Sequence, residues 1–199
     1  MLGGPSHGWW ESRAREVKKF DPRQPRVPKG RPGGGRFLSL RRLIENLDPP
    51  SPSRREAAGD FSRNFERSLE GSPFTHHVNH YSAVDLMDPS FEAIVTANKG
   101  KTGVLIKDHG DGRIEATGLY NDNGSGAGLD MLQHAVREYG VNYVEAFGPA
   151  LPEMYESVGF EIVETYPFDR EFAPPGWDYK RFPADRTTYN IMRHRSEQK

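Results

Sequence analysis

The sequence predicts an α/β (α+β) fold: a mixed, mostly antiparallel β-sheet flanked by helices, behind a disordered basic N-terminal tail. Three observations predict it. Short stretches rich in β-branched or aromatic residues, HHVNHYSAVDL, SFEAIVTAN, TGVLIK and RIEATGLYN, succeed one another with turn residues such as NKGK and DHGDG between them. A helical spacing of Leu129, Leu132, Ala135, Val136 and Tyr139 then precedes another strand-like stretch, NYVEAFG. Residues 1–56 differ in kind, with 13 Lys/Arg against 6 Asp/Glu, whereas the rest of the chain holds 14 against 22.

From the N-terminus, MLGGPSHGWWESRAREVKKF places Trp9 and Trp10 in a polar setting that suits a weakly packed helix or a partner contact. Residues 20–37, FDPRQPRVPKGRPGGGRF, contain four prolines and four glycines and cannot bury enough surface to fold. Their composition resembles low-complexity tracts of bacteriophage-encoded proteins. Phe37, Leu40, Leu43, Ile44 and Leu47 follow helical spacing until Pro49 and Pro50 stop it. PPSPSRR reads as a spacer, and Phe61, Phe65 and Leu69 mark a helix that ends near Gly71 and Pro73. The expected division is a tail and linker over 1–55 and a folded domain over 56–199.

Within the domain, the four strand-like stretches end in a hairpin made by the last two. Gly140 closes the 129–139 helix, LPEMYESVGF forms a short helix capped at Gly159, and EIVETY and TTYNIMRH supply the final strands. The order βββαβαββ implies a mixed sheet with helices against it.

Composition limits the function. With 199 residues, 35% of them hydrophobic, the chain suits one medium domain. No cysteine is present, which excludes disulfides, thiolate metal sites and a cysteine nucleophile. Without a long apolar run or an apolar stretch behind the N-terminal charges, the expectation is a soluble, unexported, cytoplasmic protein with no membrane association.

NGSGAG, residues 123–128, sets three glycines at alternate positions before a helix. The first turn of a helix has unpaired N–H groups and a partial positive charge, so bare backbone there suits a phosphate, although a purely conformational turn has the same composition. Asn123, Gly124, Ser125, Gly126, Ala127 and Gly128 follow the strand RIEATGLYN, and YESVGF, with Tyr155, Gly159 and Phe160, comes one helix and one strand later.

In this order and spacing, residues 117–168, and more loosely 74–194, resemble the GNAT superfamily of N-acetyltransferases. The resemblance implies acetyl-CoA as co-substrate, no metal, and a pyrophosphate held by the backbone of Asn123 to Gly128. It also implies that the strands on either side of the glycine-led helix splay apart. The pantetheine arm would then lie between Thr117, Gly118 and Leu119 and Val144 to Phe147. Tyr155 would be the general acid for the departing thiolate, or a core aromatic; Glu145 and Glu115 would be candidate bases, or solvated strand residues. Two departures stand out: Asn123 occupies a position where the family has Gln or Arg, and the usual pair of helices near the acceptor site has no room. The helix before Gly71 would take their place.

For the acceptor, an amine, PFDREFAPPGWDY offers Asp169, Glu171, Trp177 and Asp178: carboxylates for an ammonium and a ring face for a cation, or a loop that covers the sheet edge. His76 and His80 would share a helix face, but their flanks read as strand, where His77 does not converge with them, so no metal site is expected. His80 and Tyr81 would line the acceptor pocket. The basic tail would meet nucleic acid or a virion assembly, or act as a plain linker. A protein that keeps the fold as a binding or virion-associated module is the second reading.

Overall fold

The computed structural model describes residues 43–72, 75, 78–122, 127–148, 150–172, 177–180, 182–184 and 186–195. Residues 1–42, Asn123 to Gly126, and His76 and His77 lie outside the described set; the basic tail and the central part of the glycine turn fall there.

Helix α1, Arg54–Leu69, begins seven residues earlier than the Phe61 spacing suggests. Its start is capped by Ser53: the Glu56 amide donates to Ser53 Oγ at 3.2 Å, and the Ser53 hydroxyl donates to the Glu56 carboxylate at 3.2 Å. Ala58, Phe61, Phe65 and Leu69 form its buried stripe, and Gly71, at φ +69, lets the chain leave.

Six strands make one mixed sheet, ordered β1-β2-β3-β4-β6-β5. They are β1 Phe91–Ala97, β2 Thr102–Asp108, β3 Ile114–Asn121, β4 Tyr143–Phe147, β5 Phe160–Pro167 and β6 Thr188–His194. All neighbours are antiparallel except β3 and β4, which are parallel because helix α2, Ala127–Tyr139, crosses between them. Helix α3, Ala150–Glu156, connects β4 to β5, and β6 then inserts between those two strands. From β1 onward the order is βββαβαββ, as expected, but the further stretch read as a strand ahead of β1 does not form one in its described residues.

Alternation along the strands divides the apolar residues between two layers. On the front face, Val95, Ala97, Val104, Ile106, Ala116, Val144, Ala146 and Met192 meet Leu129, Met131, Leu132 and Ala135 of α2 and Tyr155 of α3. On the back face, α1 covers only the β1–β3 half, where Phe61 and Phe65 pack with Leu105, Phe91 and Tyr120. Among the described residues one helix stands on this face, and the back of β4 and β6 is left to other residues.

Leu43, placed by the sequence in the tail, is 1% exposed in the front core. The segment after it runs beside β1: Leu47 bridges Ala97, and Asp48 accepts the amides of Lys99 and Gly100, each at 2.7 Å. Those bonds fix a β1–β2 turn in which Asn98, Lys99 and Gly100 all have positive φ. The described end of the Phe37–Leu47 helix is one turn at Leu43 and Ile44, after which pairing with β1 takes over.

The strand expected over HHVNHYSAVDL is not formed by its described residues, which end in a 3-10 turn at Asp85–Met87. Local bonds replace a ladder. The Ser82 amide and hydroxyl donate to Asp85 Oδ2 at 2.8 and 2.7 Å, and Arg54 donates to the carbonyls of Leu86, Asp88 and Phe91.

Candidate functional site

The parallel pair β3/β4 supplies the geometry. Among the described residues its one register pair is Glu115 with Tyr143; beyond it the strands separate. Asn142, 5% exposed, closes the joined end, accepting from the Ile114 amide at 2.9 Å and donating to the Gly112 carbonyl at 2.8 Å. A β-bulge contributes to the opening: Gly103 pairs with Tyr120 and Leu105 with Thr117, so Gly118 and Leu119 together oppose Val104. Gly118 has φ +57, and a Cβ there would lie 3.1 Å from Leu105 Cδ1. Glycine is favoured at this position, and the bulge bends β3 where it parts from β4. Thr117, Gly118 and Leu119 thus edge a split in the middle of the sheet, opposite Val144 to Phe147, and α2 begins at Ala127 beyond its open end.

On the back face, where α1 stops, a polar cluster borders this split. Glu115 is 2% exposed, and the His109 ring donates to its Oε2 at 2.8 Å. Tyr143 donates to Glu145 Oε1 at 2.8 Å, and the guanidinium groups of Arg113 and Arg193 lie over its ring, 5.4 and 5.1 Å from the centroid. The hydroxyls of Tyr81 and Thr117 are 3.0 Å apart. Tyr189 is buried against Phe147, with ring centroids 5.0 Å apart.

Burial raises the pKa of all three of these tyrosines, with the Glu115 and Glu145 charges adding to the effect; Tyr81 reaches about 12. They are phenols at neutral pH. Glu145, Tyr81 and Thr117 are only half-buried, whereas Glu115, Tyr143 and Tyr189 lie behind them. Of the two candidate bases, Glu145 is the one a ligand can reach.

Tyr155 lies on the other side of the sheet. It is buried in the front core, 6.4 Å between centroids from Phe160, and burial lifts its pKa to about 12. The structure therefore brings Glu115 and Glu145 together and leaves Tyr155 across the split from them. Ala127 and Gly128 open α2, and a Cβ on Gly128 would make an ordinary contact with Asn121 at 3.6 Å.

The loop candidates are arranged differently. Trp177 is buried, stacked on Phe168 at 4.3 Å, and its indole N–H donates to the Phe182 carbonyl at 3.1 Å. One of its ring faces is thus taken by Phe168. Half-buried Asp169 and exposed Asp178 accept the amides of Glu171 and Lys180, both at 3.0 Å, as loop-forming Asx turns. His80 sits between Glu66 and the Thr75 carbonyl. Burial lowers its pKa, but those two partners outweigh this and leave it raised.

Sequence reasoning overlooked Tyr143, Tyr189, His109 and Asn142. The alternation in YVEAF puts Tyr143 and Glu145 on one face, and the same alternation places Tyr189 across from Phe147. Asn142 gave no signal, because its partners Gly112 and Ile114 are distant in sequence, and His109 meets Glu115 only once β2 and β3 have paired. No protein-family model, curated protein or solved structure matches this chain.

Proposed function

We propose that the chain is a GNAT-like acyl-CoA-dependent N-acyltransferase, most simply acetyl-CoA-dependent, that transfers an acyl group directly to an amine. The observation that carries this reading is the split of β3 from β4 after one register pair, below the start of α2. A sheet that opens in its interior exposes backbone N–H and C=O groups that need partners, and an extended amide-bearing arm supplies them. The helix start beyond the opening suits a pyrophosphate, carried by residues 123–128.

Chemistry follows from which residues lie on which side. Glu145, at the back, accepts a proton from the amine, directly or through a water, as the nitrogen attacks the thioester carbon. When the C–S bond breaks, the Tyr155 hydroxyl at the front hydrogen-bonds the leaving sulfur and supplies its proton. A phenol near 12 stands about 3–4 units above an ordinary thiol, so full transfer is uphill and the hydrogen bond to the developing thiolate carries much of the effect. Glu115, Tyr143 and Tyr189 support Glu145 from behind.

Calorimetry with acetyl-CoA and desulfo-CoA tests the cofactor claim, and absence of binding below millimolar concentration refutes it. Because the chain has no cysteine, thiol release can be followed with a thiol reagent free of protein background. Tyr155→Phe is expected to lower turnover about 10- to 1000-fold with little change in acetyl-CoA affinity. Unchanged turnover removes Tyr155 from the mechanism.

A further inference from the structure

Residues 21–29, DPRQPRVPK, repeat every third position: Pro22, Pro25 and Pro28 are each followed by a cation, Arg23, Arg26 and Lys29. A polyproline-II helix has three residues per turn, so this spacing lines the prolines along one edge and the cations along the next. Such a helix makes no internal hydrogen bonds, and its carbonyls need donors from elsewhere.

The described residues form a groove of about 620 Å³ along the outer edge of β1 that offers such donors. The Asp48 amide donates to the Thr96 carbonyl at 2.9 Å, but Pro49 and Pro50 have no N–H and end that pairing. The outward N–H groups of Ile94 and Thr96 are left with no acceptor among the described residues. The walls are α1, at Ala57, Asp60 and Asn64, and α2, at His134 and Tyr139. From Ala57 to Asn64 the α1 wall is about 10 Å long, close to the ~9 Å between successive prolines of the repeat. His134 is 7% exposed, its Nδ1 has no hydrogen-bond partner among the described residues, and burial lowers its pKa, so the ring is neutral at neutral pH.

Charge completes the match. Asp48 meets two neutral amides, which leave its charge uncompensated, and Asp60 pairs with Arg63 at the open surface, where both side chains are more than half exposed. Lys99, on the β1–β2 turn, is the one cation among the described lining residues, and Asp21 at the head of the repeat is its counterpart.

We propose that this groove is the docking site of the chain's own segment Asp21–Lys29, held as a polyproline-II helix with its proline edge on Tyr139 and its cationic edge toward Asp48 and Asp60. The described chain begins at Leu43, four residues before Leu47 at the groove, and only 13 residues separate Leu43 from Lys29. A tether of that length sets an effective concentration on the order of 1 mM, so an intrinsic dissociation constant of about 0.1 mM fills roughly nine-tenths of the grooves.

Hydrogen exchange of the Ile94 and Thr96 amides, followed by NMR in the full chain without CoA, tests this. Joint replacement Pro22→Ala, Pro25→Ala and Pro28→Ala should speed that exchange about 10-fold, and the peptide DPRQPRVPK added at about 1 mM should slow it again. Arg23→Gln, Arg26→Gln and Lys29→Gln together, or Asp60→Asn on the exposed wall, should speed it at least about threefold, and the parent's protection should fall as salt rises. Exchange within twofold in the parent and the proline variant overturns the proposal. So does failure of the peptide to restore protection, or protection that grows with protein concentration, which would place the segment of a second copy in the groove.

Discussion

Replacing Gly118 by alanine perturbs the bulge at which β3 leaves β4. The backbone at φ +57 costs an L side chain about 1–2 kcal/mol. The new methyl would sit 3.1 Å from Leu105 Cδ1 and 3.4 Å from both Leu105 Cγ and Phe61 Cζ, all within a packed layer. Overpacking of that kind costs roughly 1–3 kcal/mol, and the lower entropy of the unfolded alanine chain returns about 0.4–1. The net expectation is a loss of about 2–3 kcal/mol, or about 4–12 °C in melting temperature for a domain of this size. Gly128→Ala is the paired control. Its Cβ meets Asn121 at an ordinary 3.6 Å within α2, where alanine is worth about 0.5–1 kcal/mol over glycine. Urea titrations and thermal melts of the three proteins measure both signs. A Gly118→Ala melting temperature within about 1 °C of the parent, or an equal fall in both variants, refutes the bulge account. Acetyl-CoA affinity should fall in Gly118→Ala, because the strand edge it would line has been displaced.

Asp48→Ala removes the acceptor of two backbone amides in a turn of three positive-φ residues, and chemical denaturation should show a loss of about 2–4 kcal/mol. Asp130 is 2% exposed, its Oδ2 has no hydrogen-bond partner among the described residues, and burial raises its pKa above 3.8. A raised folded-state value means that its contribution is fully present below pH 3.8 and is lost as pH rises through the folded value, so the ionised group costs stability at neutral pH. Asp130→Asn should therefore raise the melting temperature at pH 7, by about 1 kcal/mol equivalent, and less at pH 4; no gain at pH 7 defeats this. A chain beginning at Leu43 should fold, whereas one beginning at Asp60 loses Leu43, Asp48 and Ala58 and should lose at least about 3–5 kcal/mol, measured by urea titration. If the basic residues 1–42 contact nucleic acid, only the full chain should bind DNA or RNA at low salt, with steep loss as salt rises; equal binding by the chain from Leu43 excludes this.

Local pattern determined most of the elements. The spacing of Leu129, Leu132 and Ala135, the strands SFEAIVTAN, TGVLIK and RIEATGLYN, and the closing Gly140 and Gly159 depend on near neighbours, and all appear in the structure. The cap signature SRRE was equally legible and would have set the start of α1 at Arg54, behind the Ser53 N-cap. The segment His76–Leu86 was misread because β-branched and aromatic content does not reveal that Ser82 and Arg54 will take the backbone partners a strand requires. Only tertiary structure decided that β3 and β4 part after Glu115 and Tyr143, since a parallel pair joined through a helix has its register set by packing, not by a turn. It also decided that Glu145 is reachable while Glu115 is not, and that Tyr155 stands on the opposite side of the sheet. Burial and facing depend on which strands lie side by side, and the partners that fix Glu115, Tyr143 and Asn142 come from residues up to 30 positions away.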